Sequence, residues 1–566
     1  MSEETMESMT PGRESVLSRV WWPVMLAAVY LAMAVVVSPR GEFPSGNDWA
    51  SAGAVKEVLG TGKVGAGSGP VFQVLWGTVF CLPWGFSFTA LRISTLVMSF
   101  AGVLGFYGLL REYGFRRGAC LVGALTLAAN PLYVSMSYTF MTDVPTLTMM
   151  ILAGFLYVRG LRRGGSGWLL AGSVCAGAGV LVSQMAVLVP AAFAAWVVGS
   201  GRSVERPVRR VVEIALIPAA CMVVGVTWSG LHVTPGWLAG PGTVVREAPE
   251  RVFYLMQYLG LFLLPLWAGL MPRIWKRLSN PTGLWVIVGW TAATSGGFWY
   301  LATRTGGIHM PYLRDTFTNL GLGAMTLRDT MMYGLPGPYQ LPEGVWAAMT
   351  AFGALGAVML GSVGTLYLME RPGGVFVLLP GRVEKAGRSR GIAPAGPWLG
   401  AGLLVGCALV AMEHVFDRHL VMLIPAGVLM VMVVMRGSRM APGPVVTVLA
   451  VFMVFALMGV MDYMGWNTAR WEAGVYATEE LGCPSEEVDA GMEWGGWMNH
   501  EKQAKKAAEG ETGNWWWVRQ PRYVVTFREL PGYRVVRKFE YNTPFSRRPG
   551  EVLLSESVEE PGSVQE

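Results

Sequence analysis

The sequence predicts an all-α polytopic membrane protein with about 13 transmembrane helices and a small C-terminal α/β extramembrane domain. Hydrophobic residues make up 52% of the 566-residue chain, and charged residues make up only 14%. A soluble domain carries about 25% charged residues, so much of this surface must face something other than water. Apolar stretches run from Val20 to about Met461, and the remainder is polar. The net charge of +6 therefore indicates membrane orientation and no nucleic-acid partner.

A helix needs about 20 apolar residues to cross the lipid bilayer core. The first such window, 20–38, is too long for a signal peptide, so we interpret it as a retained span. The predicted spans are 20–38, 91–110, 119–137, 144–159, 168–183, 185–200, 211–228, 252–270, 284–302, 345–368, 397–412, 419–435 and 443–461. The apolar run Val71–Trp84 is shorter, and counting it as a span would invert every later loop. We therefore interpret it as an interfacial or re-entrant helix.

Basic residues are concentrated in alternate loops between the predicted spans. Examples are Arg116 and Arg117, Arg162 and Arg163, and Lys276 and Arg277. Because Lys and Arg resist translocation, these loops are predicted to be cytoplasmic. The N-terminus is then inside and, with an odd number of spans, the tail lies outside the cell (inner) membrane.

Three parts follow from this topology. They are a cytoplasmic N-terminal tail at 1–19, a multi-span domain at 20–461 with outer loops 39–90 and 303–344, and a small α/β domain on the outer face at 462–566. The last part contains a helical pattern at Thr468–Leu481 and strand-like alternation at Tyr523–Phe527, Tyr533–Tyr541 and Val552–Ser555. It carries no clustered acid with an evident partner. We therefore expect it to shape acceptor access and not to perform the chemistry.

No motif of a soluble enzyme is present, because the chain lacks a P-loop and the HExxH and GxSxG patterns. The six cysteines show no CxxC or His–Cys spacing, so neither a disulfide framework nor a zinc site is indicated. Polar residues at the outer ends of the predicted spans remain. Acidic groups near a membrane are costly and are therefore candidates for function.

Asp48 and Asp143 each precede a predicted helix on the outer side. An aspartate in this position commonly caps the helix by accepting hydrogen bonds from its first N–H groups. For Asp48 the residues alone favour the cap. For Asp143 the cap is also favoured, because Pro145 in the first turn needs no N–H partner, but a cap does not exclude catalysis.

Five ionisable groups crowd one short outer turn. They are Glu413, His414, Asp417, Arg418 and His419. Such density beside a bilayer favours function over a plain connector, and the alternative is an interfacial ion pair, Asp417 with Arg418 or Glu413 with His414. In loop 303–344, Arg304 and His309 could hold an anionic head group, or they could be scattered exposed charges.

Several short motifs occur in a fixed order along the outer face. They are Asp48 after the first span, Thr89–Ser94, Asn130–Tyr133, Thr142–Pro145 and Phe416–Pro425. In this order they resemble the GT-C membrane glycosyltransferases, particularly bacterial family 39-like enzymes related to protein O-mannosyltransferases and aminoarabinose transferases. The likeness covers 20–200 and, more loosely, 400–560. Two positions depart from it, because many relatives have Glu in place of Trp49 and Tyr in place of His419.

The resemblance implies a hexosyl- or pentosyltransferase that moves a sugar from a polyprenyl-phosphate donor to a lipid, glycan or protein acceptor at the outer face. It implies Asp48 as general base and Asp143 as supporting acid. Arg418 would meet the phosphate, and the further substrate-binding residues would be Asp417, His419, Arg304 and His309. The cofactor stays unknown: a divalent cation is the candidate, and the departure at Trp49 from the family pattern leaves its use open.

The chemistry fits these residues. Transfer needs a base for the acceptor proton and a cation for the departing phosphate, and an oxocarbenium-like sugar carbon suits an inverting reaction beside a carboxylate. The alternative is a multi-span transporter or a non-catalytic membrane scaffold. A transporter typically places charges at the midplane on broken, repeated helices. Here the acids lie at one face, which favours the enzyme.

Overall fold

The computed structural model describes residues 16–65, 69–200, 205–227, 238–305, 307–313, 316–317, 323, 325–369, 395–508, 518 and 520–558. Most of the predicted N-terminal tail 1–19 and several residues of loop 303–344 lie outside these ranges. The described part of the chain is predominantly helical, with one small sheet near the C-terminus.

The α-helices follow one another along the chain with short connections. In the first half they are α1 Val16–Val36, α2 Asp48–Thr61, α3 Val71–Cys81, α4 Phe88–Glu112, α5 Arg117–Ala128, α6 Pro131–Ser137, α7 Asp143–Arg163, α8 Ser166–Val180, α9 Leu188–Gly199 and α10 Pro207–Thr227. In the second half they are α11 Pro241–Phe262, α12 Leu264–Leu278, α13 Pro281–Thr305, α14 Arg328–Met331, α15 Glu343–Met369, α16 Gly396–Ala411, α17 Ile424–Val434, α18 Pro442–Val475 and α19 Met492–Ala508. A 3₁₀ segment, Asp417–Leu423, leads into α17.

Helical structure occurs at every predicted span, which confirms the multi-pass helical architecture. Within the described residues, six helices are long and apolar enough to cross a membrane, or up to eight if each bent pair counts as one span. The short apolar helix α3, Val71–Cys81, lies where an interfacial or re-entrant helix is predicted. The number of thirteen spans and the inside–outside orientation stay predictions.

Two of the predicted spans are bent and consist of two helices each. The span 252–270 is broken at Leu263, where α11 and α12 meet with an 81° bend. Pro265 lies in the first turn of α12, and its missing N–H favours a new helix start over continuation of α11. The span 119–137 bends by 64° between α5 and α6. Asn130 begins the second piece by accepting hydrogen bonds from the N–H groups of Leu132 and Tyr133.

The last apolar helix continues directly into the C-terminal part of the chain. Helix α18 runs through position 462 without a break, and a π-helical turn follows at Tyr476–Glu480. The helix predicted at Thr468–Leu481 is therefore the far end of the preceding predicted span. Because α18 is continuous, its apolar part and the part that packs on the C-terminal sheet are rigidly connected.

The C-terminal sheet has the strand order β1-β2-β4-β3. Its strands are β1 Val488–Asp489, β2 Tyr523–Thr526, β3 Tyr533–Tyr541 and β4 Gly550–Ser557. The first pair is parallel and the other two pairs are antiparallel. The three strands predicted from alternation are confirmed. Side chains such as Val525 and Leu554 form a core with Trp466 of α18 and Trp494 of α19.

Candidate functional site

Asp48 bridges two segments of the chain and does not cap its own helix. Its side chain is 2% exposed. One carboxylate oxygen accepts the Ser45 N–H at 2.7 Å, and the other accepts the Phe140 N–H at 3.0 Å. Asn47 occupies the cap position of α2, without a side-chain cap bond. The cap prediction is therefore wrong at Asp48, because the carboxylate turns back toward Ser45 and across to the segment before α7.

The Phe140 peptide is held from both sides. While its N–H donates to Asp48, its carbonyl oxygen accepts the Gln73 side-chain amide at 2.5 Å. Gln73 lies on α3 and is 1% exposed. Asp48 and Gln73 thus fix the segment that ends at Asp143, three residues beyond Phe140. These two hydrogen bonds join residues that are 67 and 92 positions apart in the sequence.

Arg92 organises the loop that leads to Asp48. It lies in the first turns of α4 and is 1% exposed. Its guanidinium donates to the Gly41 carbonyl at 2.5 Å and to the Phe43 carbonyl, and it lies 4.3 Å over the Phe43 ring. A longer contact of 3.5 Å reaches the Ser45 hydroxyl. The motif Thr89–Ser94 contains this residue. Its role was missed, although an arginine at the start of an apolar helix is a signal for a specific buried partner.

The surroundings of Asp48 favour an uncharged carboxyl more than water does. Burial raises the pKa of Asp48 from 3.8 to about 7, against the lowering effect of the Phe140 hydrogen bond, Arg92 and the Ser45 hydrogen bond. The nearby Glu493 carboxylate raises the pKa further. A carboxyl whose pKa lies near 7 changes its charge in the range where a general base works best.

Asp143 and Arg418 meet although they are far apart in sequence. The Arg418 Nε lies 3.8 Å from an Asp143 carboxylate oxygen, and the two side chains are 13% and 4% exposed. The guanidinium also lies 4.7 Å over the Phe416 ring. Asp143 is the first residue of α7, and Thr142 in the cap position makes no side-chain cap bond. Two of the predicted site residues therefore form one charge pair.

Asp417, next to Arg418, supports a loop. Its side chain is fully buried, and its two oxygens accept the N–H groups of Thr316 and Phe317 at 2.6–3.1 Å. His419 is partly buried, and its Nδ1 accepts the Phe416 N–H at 3.3 Å. The turn is thus built around backbone contacts, with Arg418 reaching across to α7.

Arg304 and His309 belong to a different set of contacts. Arg304 donates to the Tyr300 hydroxyl and lies 3.7 Å from Glu250. Glu250 and Tyr300 also line an apolar cavity of about 300 Å³ between α11, α13 and α15. His309 is exposed. Arg304 therefore contacts two residues that line this cavity, and it is not part of the Asp143–Arg418 pair.

A buried acid in the C-terminal part was missed by sequence reasoning. The Glu493 carboxylate pairs with Arg470 at 2.6 Å, and both side chains are 0% exposed. It also accepts hydrogen bonds from the Thr326 hydroxyl at 2.5 Å and from the Gly46 N–H at 3.2 Å. The expectation that this part contains no acid with a positioned partner is wrong. The partners come from three distant segments, so no local pattern reveals them.

Metal binding has no cluster to support it among the residues that the structure describes. No group of three or more His, Cys, Asp or Glu side chains in these ranges is arranged to hold a metal ion.

Comparison with known proteins identifies relatives of the first half of the chain. Residues 68–228 match the family model described as dolichyl-phosphate-mannose-protein mannosyltransferase. This range contains Arg92, Phe140 and Asp143, whereas Asp48 and Arg418 lie outside it. No curated protein sequence matches the chain.

Solved structures are also similar to the chain. The crystal structure of ArnT from Cupriavidus metallidurans bound to undecaprenyl phosphate is 14% identical with a TM-score of 0.41, covering 96% of this chain and 98% of that one. The archaeal oligosaccharyltransferase AglB from Archaeoglobus fulgidus, in complex with an inhibitory peptide and a dolichol-phosphate, is 13% identical with a TM-score of 0.42. That match covers 90% of this chain and 61% of AglB. The family match shows that residues 68–228 are similar to the dolichyl-phosphate-mannose-protein mannosyltransferases, and the described helices give the chain a multi-pass helical architecture.

Proposed function

We propose that this protein transfers a hexose or pentose from a polyprenyl-phosphate donor to an acceptor at the outer face of the cell membrane, with inversion at the anomeric carbon. The family match supports a transferase. The observation that carries the proposal is Asp48, a buried carboxyl with a pKa of about 7 in the first outer loop. A lipid-anchored donor presents its sugar at this level of the membrane.

Asp48 acts as the general base in this proposal. Each of its oxygens accepts one backbone N–H and keeps a second lone pair for the acceptor hydroxyl. The carboxylate is ionised above pH 7, so transfer should increase as the pH rises through that value. Because Ser45 and Phe140 hold the two oxygens, the carboxylate loses little freedom when it takes the proton, as efficient base catalysis requires.

Asp143 and Arg418 act together on the departing phosphate and on the position of the acceptor. Arg418 would stabilise the departing lipid phosphate, since a guanidinium matches the geometry of phosphate oxygens. Asp143 would hold Arg418 in place and orient the acceptor. Their separation of 3.8 Å is longer than a charge-assisted hydrogen bond of about 2.8 Å, which is compatible with a guanidinium that turns toward a phosphate.

The remaining predicted site residues take secondary roles. We propose that Asp417 supports the loop at Thr316 and Phe317, because both of its oxygens already accept backbone N–H groups. His419 would line the site beside Arg418. Arg304, which contacts the cavity-lining residues Tyr300 and Glu250, and the exposed His309 would contact a lipid head group.

The competing functions are a transporter and a non-catalytic scaffold. A transporter would use the bent pair α11 and α12 as a broken helix with charges at the break. The residues at that break are the apolar Leu263 and Leu264, and the buried carboxylates of Asp48, Asp143 and Asp417 belong to other segments. A scaffold has no need for a buried carboxyl whose pKa is near 7. Both alternatives predict no sugar transfer from any donor.

The test is transfer by purified protein from a panel of polyprenyl-phosphate sugars, with Asp48→Asn beside the parent. Loss of the base should reduce transfer by about 10²–10⁴-fold. Because both Asp48 oxygens accept N–H groups, the amide leaves one of them facing an NH₂ group, which should cost about 1–3 kcal/mol of stability.

Asp329→Asn is the matched control for that loss of stability. Asp329 is also fully buried, and its oxygens accept the N–H groups of Thr330, Phe527 and Arg528 in the C-terminal part. It should lose similar thermal stability and keep transfer. If Asp48→Asn retains more than about a tenth of the parent's rate, Asp48 is not the base. If no donor in the panel is used by the parent, the transferase proposal fails.

A further inference from the structure

The Glu493–Arg470 pair lies at the junction of three outer segments. Its members are 2.6 Å apart and 0% exposed. Removing two charges from water is costly unless further hydrogen bonds satisfy them. Here one Glu493 oxygen accepts both Arg470 and the Thr326 hydroxyl, while the other accepts the Gly46 N–H at 3.2 Å. Glu493 thereby connects α18, the loop 303–344 and the first outer loop.

Gly46 carries this connection toward Asp48. Its N–H donates to Glu493, and the N–H of the preceding residue, Ser45, donates to Asp48 at 2.7 Å. Two adjacent peptide groups therefore point to the two acids. Gly46 has φ +57°, a left-handed conformation that favours glycine. A shift of either acid would move the same short turn.

One face of α19 covers this turn. The residues on this face, spaced at i, i+3, i+4 and i+7, are Glu493, Gly496, Trp497 and His500. The absence of a side chain at Gly496 allows close approach, because a Cβ there would lie 2.6 Å from the Trp49 indole. The His500 and Trp49 rings are 4.9 Å apart, and Trp497 stacks on Phe86 at 5.4 Å. The helix therefore contacts the chain on both sides of Asp48.

We propose that Glu493 is a positioning residue for the base, so that Asp48 is competent for transfer only when α19 is docked on the first outer loop. The inference rests on the proposed function of Asp48. Glu493 acts through the Gly46 peptide and through its charge, without touching the substrate. The C-terminal part of the chain would then contribute to the rate of the reaction as well as to acceptor access.

The charges around Asp48 give this proposal a distinct readout. Arg92 faces Asp48 from α4 and favours the carboxylate, while Glu493 faces it from α19 and opposes ionisation; Tyr463 of α18 lies near both acids. The glutamine in Glu493→Gln can still accept the Gly46 N–H but carries no charge. Asp48 should then ionise at lower pH, and the acid limb of the pH–rate profile should move to lower pH. Loss of packing alone would not produce this shift.

Asp489→Asn is the matched control. Asp489 and Arg328 form another buried pair at 2.6 Å, with 2% and 10% of the side chains exposed. This pair also ties the C-terminal part to loop 303–344, but its hydrogen bonds go to Val518 and Gly491 and not to Ser45 or Gly46. Both variants leave a buried arginine without its acid. Both should lose thermal stability, and only Glu493→Gln should shift the pH–rate profile.

A second variant keeps the test decisive if Glu493→Gln fails to fold. Replacing the pair by apolar residues, Glu493→Leu with Arg470→Met, removes both charges and is often tolerated in a buried site. The Gly46 anchor is then lost, and a misplaced base should reduce transfer by about 10–100-fold.

An unchanged profile in Glu493→Gln, or parent-like transfer in the double variant, would overturn the positioning role. If Asp48→Asn is inactive in the same assays, the proposed base survives that outcome. An active Asp48→Asn would instead remove the base and this inference together.

Discussion

Asp48 and Asp417 are both buried aspartates that hold the backbone of a distant loop, and the difference between them distinguishes two regions of the molecule. Asp48 reaches Phe140, 92 residues away, and Asp417 reaches Thr316, 101 residues away. Asp48 divides its oxygens between two segments, whereas Asp417 directs both oxygens to one segment. The first arrangement joins two loops, and the second anchors a single loop.

Their neighbours extend this difference. Around Asp48, a buried arginine organises the preceding loop and a buried glutamate from α19 holds the adjacent turn. The side chain of Arg418, next to Asp417, extends away from its own turn. It pairs with Asp143, at the end of the segment that Asp48 holds. The region around Asp48 is thus a junction where the position and the charge of one carboxyl are both controlled. The Asp417 region contributes the Arg418 guanidinium, which pairs with Asp143.

The largest expected effect is the contrast between Asp48→Asn and Asp417→Asn. Both variants turn an amide toward backbone N–H groups, so each should lose about 1–3 kcal/mol of stability. Only Asp48→Asn should also lose transfer by about 10²–10⁴-fold. Thermal unfolding and initial rates, measured on the same preparations, separate the two quantities. If Asp417→Asn loses transfer equally, Asp417 belongs to the substrate site and the contrast disappears.

Arg418→Ala should have the next largest effect, because it removes the cation that links the two regions. A charge-assisted contact with the phosphate contributes about 1.5–3 kcal/mol, so transfer should fall by more than about tenfold. Arg418→Lys should recover part of that loss, since it keeps the charge without the planar guanidinium.

Arg251→Ala is the control for Arg418→Ala, because Arg251 of α11 contacts the same turn. Arg251 is 12% exposed, close to the 13% of Arg418, and donates to the carbonyls of Val410, Met412 and Glu413. Its loss should disturb the turn without removing the phosphate contact. Equal loss of donor use in both variants would make Arg418 a structural residue of the turn.

The helical architecture and the C-terminal strands could be predicted because they depend on local pattern. Apolar length marks the spans, and alternation marks the strands at 523–526 and 533–541. The 81° bend at Leu263 could not be predicted as such. Pro265 was visible in the sequence, but a proline in an apolar run is compatible with a kink, a new helix or a straight span, and the packing of neighbouring helices decides among them.

The sequence allowed several residues of the candidate site to be proposed, but it did not allow the contacts between them to be predicted. Asp143 and Arg418 were both selected, but their meeting depends on how α7 and the 417–423 segment pack. The cap prediction failed at Asp48 because the direction of a side chain is set by tertiary partners. Glu493 offered a weak signal. An acid followed by Gly496, Trp497 and His500 at helical spacing marks a docking face, but not what it docks against.

The smallest expected effect concerns Gly46, where the comparison can be sharpened without removing any polar group. Gly46 has φ +57°, and a Cβ there would lie 3.5 Å from the Met141 sulfur, which is an ordinary contact. Gly46→Ala should therefore cost only the left-handed backbone conformation, about 1–2 kcal/mol.

Gly62→Ala is the control, since Gly62 has φ +70°, has open space around it and lies at the other end of α2. Both variants should lose similar stability. Only Gly46→Ala should also slow transfer, because its turn carries the hydrogen bonds to both Asp48 and Glu493. Gly46→Asn should restore part of the rate, since asparagine tolerates the left-handed region better than alanine. Equal rates in the two alanine variants would mean that the turn tolerates displacement, and that the exact position of Asp48 matters less than its charge.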